Sequence, residues 1–214
     1  MKGFQKLVKV ERIIISIFYF LLMFNPLLQS AQQSIAPVNN KVYLVYIEPR
    51  DLVIGRPDAP VTIVSYTSLT CMHCAEFHNK TIPALYNDYI KTGKLKIVMR
   101  HFPLDKISLY AAVLVDQAPD DQRLNRLNLL FQKQNEWLFD AQTPEVLAQL
   151  CGMSLEYYKE CVENKDNQSP ILKQWLEAKQ QFDIEATPSF IIQGRLYEGL
   201  LSLDEFKKLI DTAS

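Results

Sequence analysis

A run of β-branched and aromatic residues, Val61–Thr67, leads into Cys71-Met72-His73-Cys74, and a helix-forming stretch follows from Ala75 to Lys91. No other part of the chain constrains the fold as tightly. An unbroken apolar run of this length reads as a strand buried on both faces. Leu95–Phe102 is a second such run, stopped by Pro103, with Thr92-Gly93 closing the helix between them. Strand, helix and strand of these lengths form a parallel crossover unit. The two thiols fall at the helix N-terminus, where unpaired backbone N–H groups and the helix dipole favour negative charge. Cys71 is therefore expected to ionise readily and attack, and Cys74, one turn on, to resolve the product. A ring this tight is strained and makes a poor staple, so a redox role is preferred over a structural disulfide.

The rest of the chain places that unit in an α/β protein. Asp51-Leu-Val-Ile54 is a short extended piece ahead of the turn cluster Gly55–Pro60, and Val42–Ile47 reads either as a first strand or as leader. From Ile107 to about Phe182 the period becomes helical, in blocks at Leu109–Asp116, Leu124–Phe131, Pro144–Cys151, Ser154–Val162 and Ser169–Phe182. Ser154 reads as an N-cap, and Pro170 as the first helical residue after Ser169. Thr187–Ile192, the turn Gln193-Gly194, Arg195–Tyr197 and a helix from Leu203 to Asp211 then return to β, β, α. The architecture predicted is an α/β sandwich with an all-helical block inserted between the βαβ and ββα halves.

The N-terminus reads differently. Lys2, Lys6, Lys9 and Arg12 precede the apolar run Ile13–Phe24, which Asn25-Pro26 breaks. That is the pattern of a secretory signal peptide, cut near Ser30 or Ala31, and the run is short for a membrane anchor. The divisions expected are a signal at 1–30, a flexible leader at 31–50, and one domain at 51–214 with its helical insertion at about 105–182. Removal of 1–30 leaves 19 basic against 23 acidic side chains, so nothing in the charge suggests nucleic acid as a partner. All four cysteines lie beyond the signal. An even count in an oxidising compartment suggests disulfides.

Three features together resemble the thioredoxin superfamily, and within it the bacterial DsbA-like thiol:disulfide oxidoreductases. One is Ser65–His78, with its C-x-H-C-x-x-F pattern over Cys71, His73, Cys74 and Phe77; another is Ala186-Thr-Pro-Ser-Phe190, similar to that family's cis-proline loop; the last is the helical insertion. The resemblance runs from about Leu52 to Ile210. It implies a thioredoxin-like fold, a cis Thr187–Pro188 bond, and a Thr187 backbone that pairs with an extended substrate peptide beside Cys71. It also implies reoxidation by a DsbB-like quinone-linked membrane oxidase. The chain departs from the family's best-known members at Met72, where they have Pro, and at Thr187, where they commonly have Val. Both positions bear on redox potential and substrate release.

The remaining candidates follow from the residues. His73 is expected to donate toward the Cys71 sulfur, and Met72 to offer substrate an exposed apolar contact. Cys151 and Cys161 flank the junction of two helices, where a disulfide closing a loop of about ten residues contributes ~2–3 kcal/mol. His78 is expected to be a partly buried polar residue, Glu76 a solvated helix charge, and His101 structural. Tyr157, Tyr158, Trp137, Phe139 and Trp175 read as packing aromatics of the insertion. The function expected is an exported oxidase of reduced, unfolded secreted polypeptides, needing no separate cofactor and no metal because the cysteines carry the electrons. Two alternatives stand beside it: an isomerase or reductase on the same fold, and a metal- or peptide-carrier module built on Cys71, Cys74, His73 and His78.

Overall fold

The structure is a computed structural model that describes residues 35–213. The signal segment expected at 1–30 lies outside the described residues. The compact unit of the chain begins at Pro37.

Five strands form one mixed sheet, β1 (Leu52–Ile54), β2 (Val61–Thr67), β3 (Leu95–His101), β4 (Ser189–Ile192) and β5 (Arg195–Glu198), in the order β1-β3-β2-β4-β5. β2 is central: it runs parallel to β3 from Val61↔Leu95 to Thr67↔His101, and antiparallel to β4 from Ile63↔Ile192 to Tyr66↔Ser189. With neighbours on both edges and packing on both faces, every position but Thr62 is buried, which is why its sequence is apolar without alternation. The β4–β5 hairpin turns at Gln193 (φ 47°) and Gly194 (φ 77°), the pair of left-handed residues a two-residue hairpin needs. Gly194 is required twice over, because a Cβ there would meet Val42 Cγ1 at 3.0 Å and the Tyr43 carbonyl at 3.1 Å.

Helices cover both faces. α1 begins at Met72 and runs to Ile90, α-helical at Met72–Glu76 and Ile82–Leu85 and π-helical at Phe77–Thr81 and Tyr86–Ile90. The first wide turn, closed by the Ile82 N–H on the Phe77 carbonyl, ends just before Pro83. Pro83 has no N–H to give and its ring would press on the Asn79 carbonyl, so the widened turn absorbs it without ending the helix. On this face Phe77 of α1, Phe190 of β4 and Phe206 of α8 (Leu203–Ala213) pack ring on ring, with centroids 4.7–5.2 Å apart. The opposite face packs Val64, Tyr66, Val98, Ile191 and Leu196 against Ala178, Phe182 and Ile184.

The insertion holds α2 (Lys106–Asp116), α3 (Arg123–Gln132), α4 (Gln134–Leu138), α5 (Thr143–Leu150), α6 (Leu155–Glu163) and α7 (Lys165–Gln181). Ser154 caps α6 as expected, accepting from Tyr157 N–H at 3.1 Å. α7 departs from expectation. It starts at Lys165, four residues ahead of Ser169, and Pro170 lies inside it. The Asn164 side chain accepts from Asp166 N–H at 2.9 Å, so this stronger cap sets the start and the helix tolerates the proline near its first turn.

Residues 37–47 bend at 38–40 and form no strand with the sheet. Val38 and Tyr43 donate their N–H groups to the Leu196 and Gly194 carbonyls, each at 2.8 Å, and Tyr43 is buried with its hydroxyl on Asp183 at 2.8 Å. The stretch beyond is pinned by a buried ion pair. Arg100 on β3 makes two bonds to Asp51 (3.1 and 2.8 Å), one to the Tyr66 hydroxyl (3.1 Å) and one to the Tyr46 carbonyl (2.6 Å). Among the described residues no helix is long and apolar enough to cross a membrane.

Candidate active site

The carboxyl end of β2 and the first turn of α1 create the site. Ser68–Thr70 turn the chain: Cys71 N–H donates to the Ser68 carbonyl at 3.1 Å, and Thr70 Oγ1 donates to Asp105, the N-cap of α2, at 2.8 Å. Cys71 is itself the N-cap residue of α1, with extended backbone angles, so its sulfur faces the open N–H groups of the first turn. Cys74 lies one turn on and is fully buried.

Their environments push the two thiols apart. The Cys71 pKa is lowered to about 5, first because the Cys74 thiol donates to its sulfur, then through the Thr187 hydroxyl and the backbone N–H groups of Cys74 and His73, all of which outweigh the cost of partial burial. Cys74 is pushed up, mainly by burial and then by the neighbouring Cys71 sulfur. One attacking thiolate and one protonated thiol share a site, which is the distribution thiol–disulfide exchange requires.

The third part comes from the far end of the chain. The Thr187–Pro188 bond is cis, as the resemblance implies. The loop is held by Ser189 Oγ on the Ala186 carbonyl (2.8 Å) and by Gly199 N–H on the Pro188 carbonyl (2.8 Å). It brings the Thr187 carbonyl 3.4 Å from the Cys71 sulfur, where it accepts from the thiol form. The Thr187 hydroxyl is buried with no other partner, which leaves it free to donate to the sulfur when Cys71 ionises.

Sequence reasoning passed over Gln134. This buried residue, the first of α4, donates Nε2 to the Leu69 carbonyl at 2.8 Å and to the Cys71 carbonyl at 3.1 Å, tying the insertion to the reactive loop. Nothing in Gln134-Asn-Glu-Trp137 marks it, because its partners lie more than 60 residues away.

The other candidates lie around this centre. The His73 ring is exposed and makes no hydrogen bond among the described residues; this residue serves the sulfur through its backbone N–H. Met72, the residue after Cys71, is 48% exposed. His78 does not join the thiols. It bonds Asn128 Oδ1 at 2.6 Å, stacks on Phe131, and burial lowers its pKa, so it is a neutral link between α1 and α3. His101, also held neutral by burial, sits at the end of β3 with Nε2 3.9 Å from Asp116.

Cys151 and Cys161 are free thiols in this structure, as Cys71 and Cys74 are. Cys161 faces the α6–α7 corner, where Asn167 Nδ2 bonds its carbonyl at 2.8 Å and lies 4.0 Å from its sulfur; Cys151 closes α5. Burial raises both pKa values, so neither has an activated thiolate.

With this geometry in hand, residues 48–212 match the family model described as Thioredoxin. The chain belongs to the thioredoxin family. Among its thioredoxin-family relatives is a Rickettsia typhi protein named provisionally as a protein-disulfide oxidoreductase, 35% identical over 172 residues, 78% of this chain and 63% of that protein. This chain thus spans a little over three-fifths of that relative's length. A second is the disulfide bond formation protein D of Bacillus subtilis, 26% identical over 74% of this chain and 75% of that one. Among solved structures, Wolbachia pipientis alpha-DsbA1 superposes with a TM-score of 0.68 at 29% identity, covering 78% of this chain and 92% of that chain. The thioredoxin-like fold with a helical insertion is therefore the fold of this protein.

The lowered pKa has a measurable signature. The rate at which reduced protein is alkylated at Cys71 should rise with a midpoint near pH 5 and level off by neutrality. Thr187→Val should move that midpoint upward, by about one unit, because one donor to the thiolate is lost. Stability follows the same group. An unfolded cysteine ionises near 9 and the folded one near 5, so the stabilisation is complete above pH 9 and lost as pH falls to 5. The reduced protein should therefore gain stability relative to Cys71→Ser as pH rises from 5 toward 9. A flat difference between the two proteins from pH 5 to 9, read by denaturant titration, would contradict it.

Proposed function

We propose that this protein is an exported thiol:disulfide oxidoreductase that makes disulfides in reduced, unfolded polypeptides. The observation that carries the reading is the arrangement of Cys71 at the N-cap of α1, 3.4 Å from the Thr187 carbonyl, with the fully buried Cys74 one turn on, which lowers the first pKa and raises the second. In the oxidised enzyme a substrate thiolate attacks the Cys71 sulfur and the Cys71–Cys74 bond breaks. Cys74 leaves and takes a proton, and substrate is joined to Cys71 as a mixed disulfide. A second substrate thiolate then attacks the substrate sulfur, and Cys71 leaves as a thiolate. Two substrate thiols have become one disulfide, and the enzyme has gained the two electrons. A leaving group stabilised at Cys71 favours the second step, and the stabilised thiolate raises the reduction potential of the pair.

Export rests on the basic-then-apolar sequence of residues 1–30, and on the disulfide-forming name of the Bacillus relative. In an oxidising compartment Cys151 and Cys161 would pair as well, and the reduced active site would be reoxidised by a DsbB-like quinone-linked membrane oxidase. The test is equilibration of the Cys71/Cys74 pair against a glutathione series, read by alkylation and mass spectrometry. The expected potential is about −120 mV, in the range of a strong oxidant. A value of about −200 mV or lower would overturn the oxidase reading in favour of a reductase or isomerase.

A further inference from the structure

We propose that Thr67 is a further catalytic residue: its buried hydroxyl donates a hydrogen bond to the Cys74 sulfur as that sulfur leaves the active-site disulfide. This inference rests on the oxidoreductase reading above and assigns the side chain that serves its second thiol.

The placement follows from strand geometry. Side chains alternate along β2, and Val64 and Tyr66 pack on the α7 face with Ala178 and Phe182. Ser65 points the other way, opposite Phe190, whose ring packs on Phe77 of α1. Thr67, two residues on, shares that face with Ser65, and the first turn of α1 holds the fully buried Cys74. Thr67 is the last residue of β2; its carbonyl accepts from Phe102 N–H at 2.7 Å and it pairs in register with His101, which fixes its backbone. Its hydroxyl is buried and has no hydrogen-bond partner. Burial and then the Cys71 sulfur push the Cys74 thiol up, while the Thr67 hydroxyl and the Ser68 N–H act on it in the opposite sense.

An orphaned hydroxyl costs stability in such a place. The same strand carries Val61, Ile63 and Val64, and valine has the shape of threonine with no polar atom to leave unpaired. Packing alone therefore favours valine at position 67. A donor without a partner in the resting protein is free when the neighbouring sulfur takes up charge.

That moment comes when a substrate thiolate bonds the Cys71 sulfur and the Cys71–Cys74 bond breaks, leaving its electron pair on Cys74. The charge develops on a residue with no exposed surface, where a donor already in position stabilises it without reorganisation. Thr67 keeps its own proton. The proton that Cys74 finally takes is balanced by the one the second substrate thiol gives up on ionising. The same hydrogen bond serves the reverse step, in which Cys74 attacks the mixed disulfide. In the resting forms Cys74 is either a disulfide sulfur or a protonated thiol. The hydroxyl thus lowers the barrier between the two forms and leaves their equilibrium unchanged.

The test uses the full protein in single turnovers, quenched with acid and read by intact mass. Oxidised glutathione added to the reduced protein forms a mixed disulfide at Cys71, and attack by Cys74 then closes the ring. Thr67→Val should slow that closure about tenfold, for one charge-assisted hydrogen bond lost from the transition state. Opening of the oxidised protein by reduced glutathione should slow by the same factor. The equilibrium with glutathione and the pH midpoint of Cys71 alkylation should stay at their wild-type values, which a general distortion of the site would move. Thr67→Ser restores a hydroxyl and should recover most of the rate. Ser65→Ala removes the other orphaned hydroxyl of this strand, about 7 Å back along it, and should close at the wild-type rate. Wild-type closure in Thr67→Val, a shifted equilibrium, no recovery in Thr67→Ser, or equal slowing in Ser65→Ala would each overturn the assignment and leave the oxidoreductase reading intact. A wild-type protein that exchanges with neither form of glutathione would overturn that reading, and the role of Thr67 with it.

Discussion

Cys71→Ser should reduce oxidation of a reduced two-cysteine peptide to the uncatalysed background, whereas Cys74→Ser should accumulate mixed disulfides at Cys71. The asymmetry follows from the two environments. Cys71 is partly exposed, ionised from about pH 5, and sits 3.4 Å from the backbone that would hold a substrate strand. Without it, the buried Cys74 cannot be reached by substrate and has no ionised form at neutral pH. In Cys74→Ser the Cys71 thiolate still attacks a disulfide such as oxidised glutathione. The adduct then lacks the thiol one helical turn away that would release it. Intact-mass measurement under acid quench reads the adduct directly. Retained peptide oxidation in Cys71→Ser would show that another thiol carries the reaction.

The second large effect lies away from the thiols. Asp51→Ala should destabilise the protein by about 3–5 kcal/mol, because it strands the Arg100 charge in the core. Both side chains of the pair are at most 2% exposed, and Asp51 accepts two bonds from the guanidinium. For a chain of this size such a loss lowers the thermal midpoint by about 10 °C or more. Arg100 also holds the Tyr46 carbonyl and the Tyr66 hydroxyl, so the same change loosens the segment leading into β1. The double variant Asp51→Leu with Arg100→Met, which removes both charges, should cost less than Asp51→Ala alone. A thermal midpoint for Asp51→Ala within 2 °C of the wild type would mean that water reaches the pair on little rearrangement.

These two results draw on different kinds of information. The reactive pair was legible because everything that defines it is local: a strand, two thiols at a helix start, and Phe77 three residues on. Phe77 closes the aromatic cluster with Phe190 and Phe206, so its place in the motif reflects packing that any sequence of this fold must supply. The hairpin at Gln193-Gly194 was legible for a similar reason, since a two-residue turn needs left-handed backbone there. Pro170 misled because proline marks a helix start only when no better cap lies upstream, and Asn164 is such a cap.

The sequence alone determined the order of elements, the central place of β2 and the identity of the two thiols. Each depends on periodicity, composition or spacing within a few residues. Only the tertiary structure decided that Gln134 supports the Cys71 loop and that Asp51 pairs with Arg100. Those partners are 63 and 49 residues apart. Contacts at such range are chosen by how the sheet and the insertion close around one another, and no local pattern of residues records that choice.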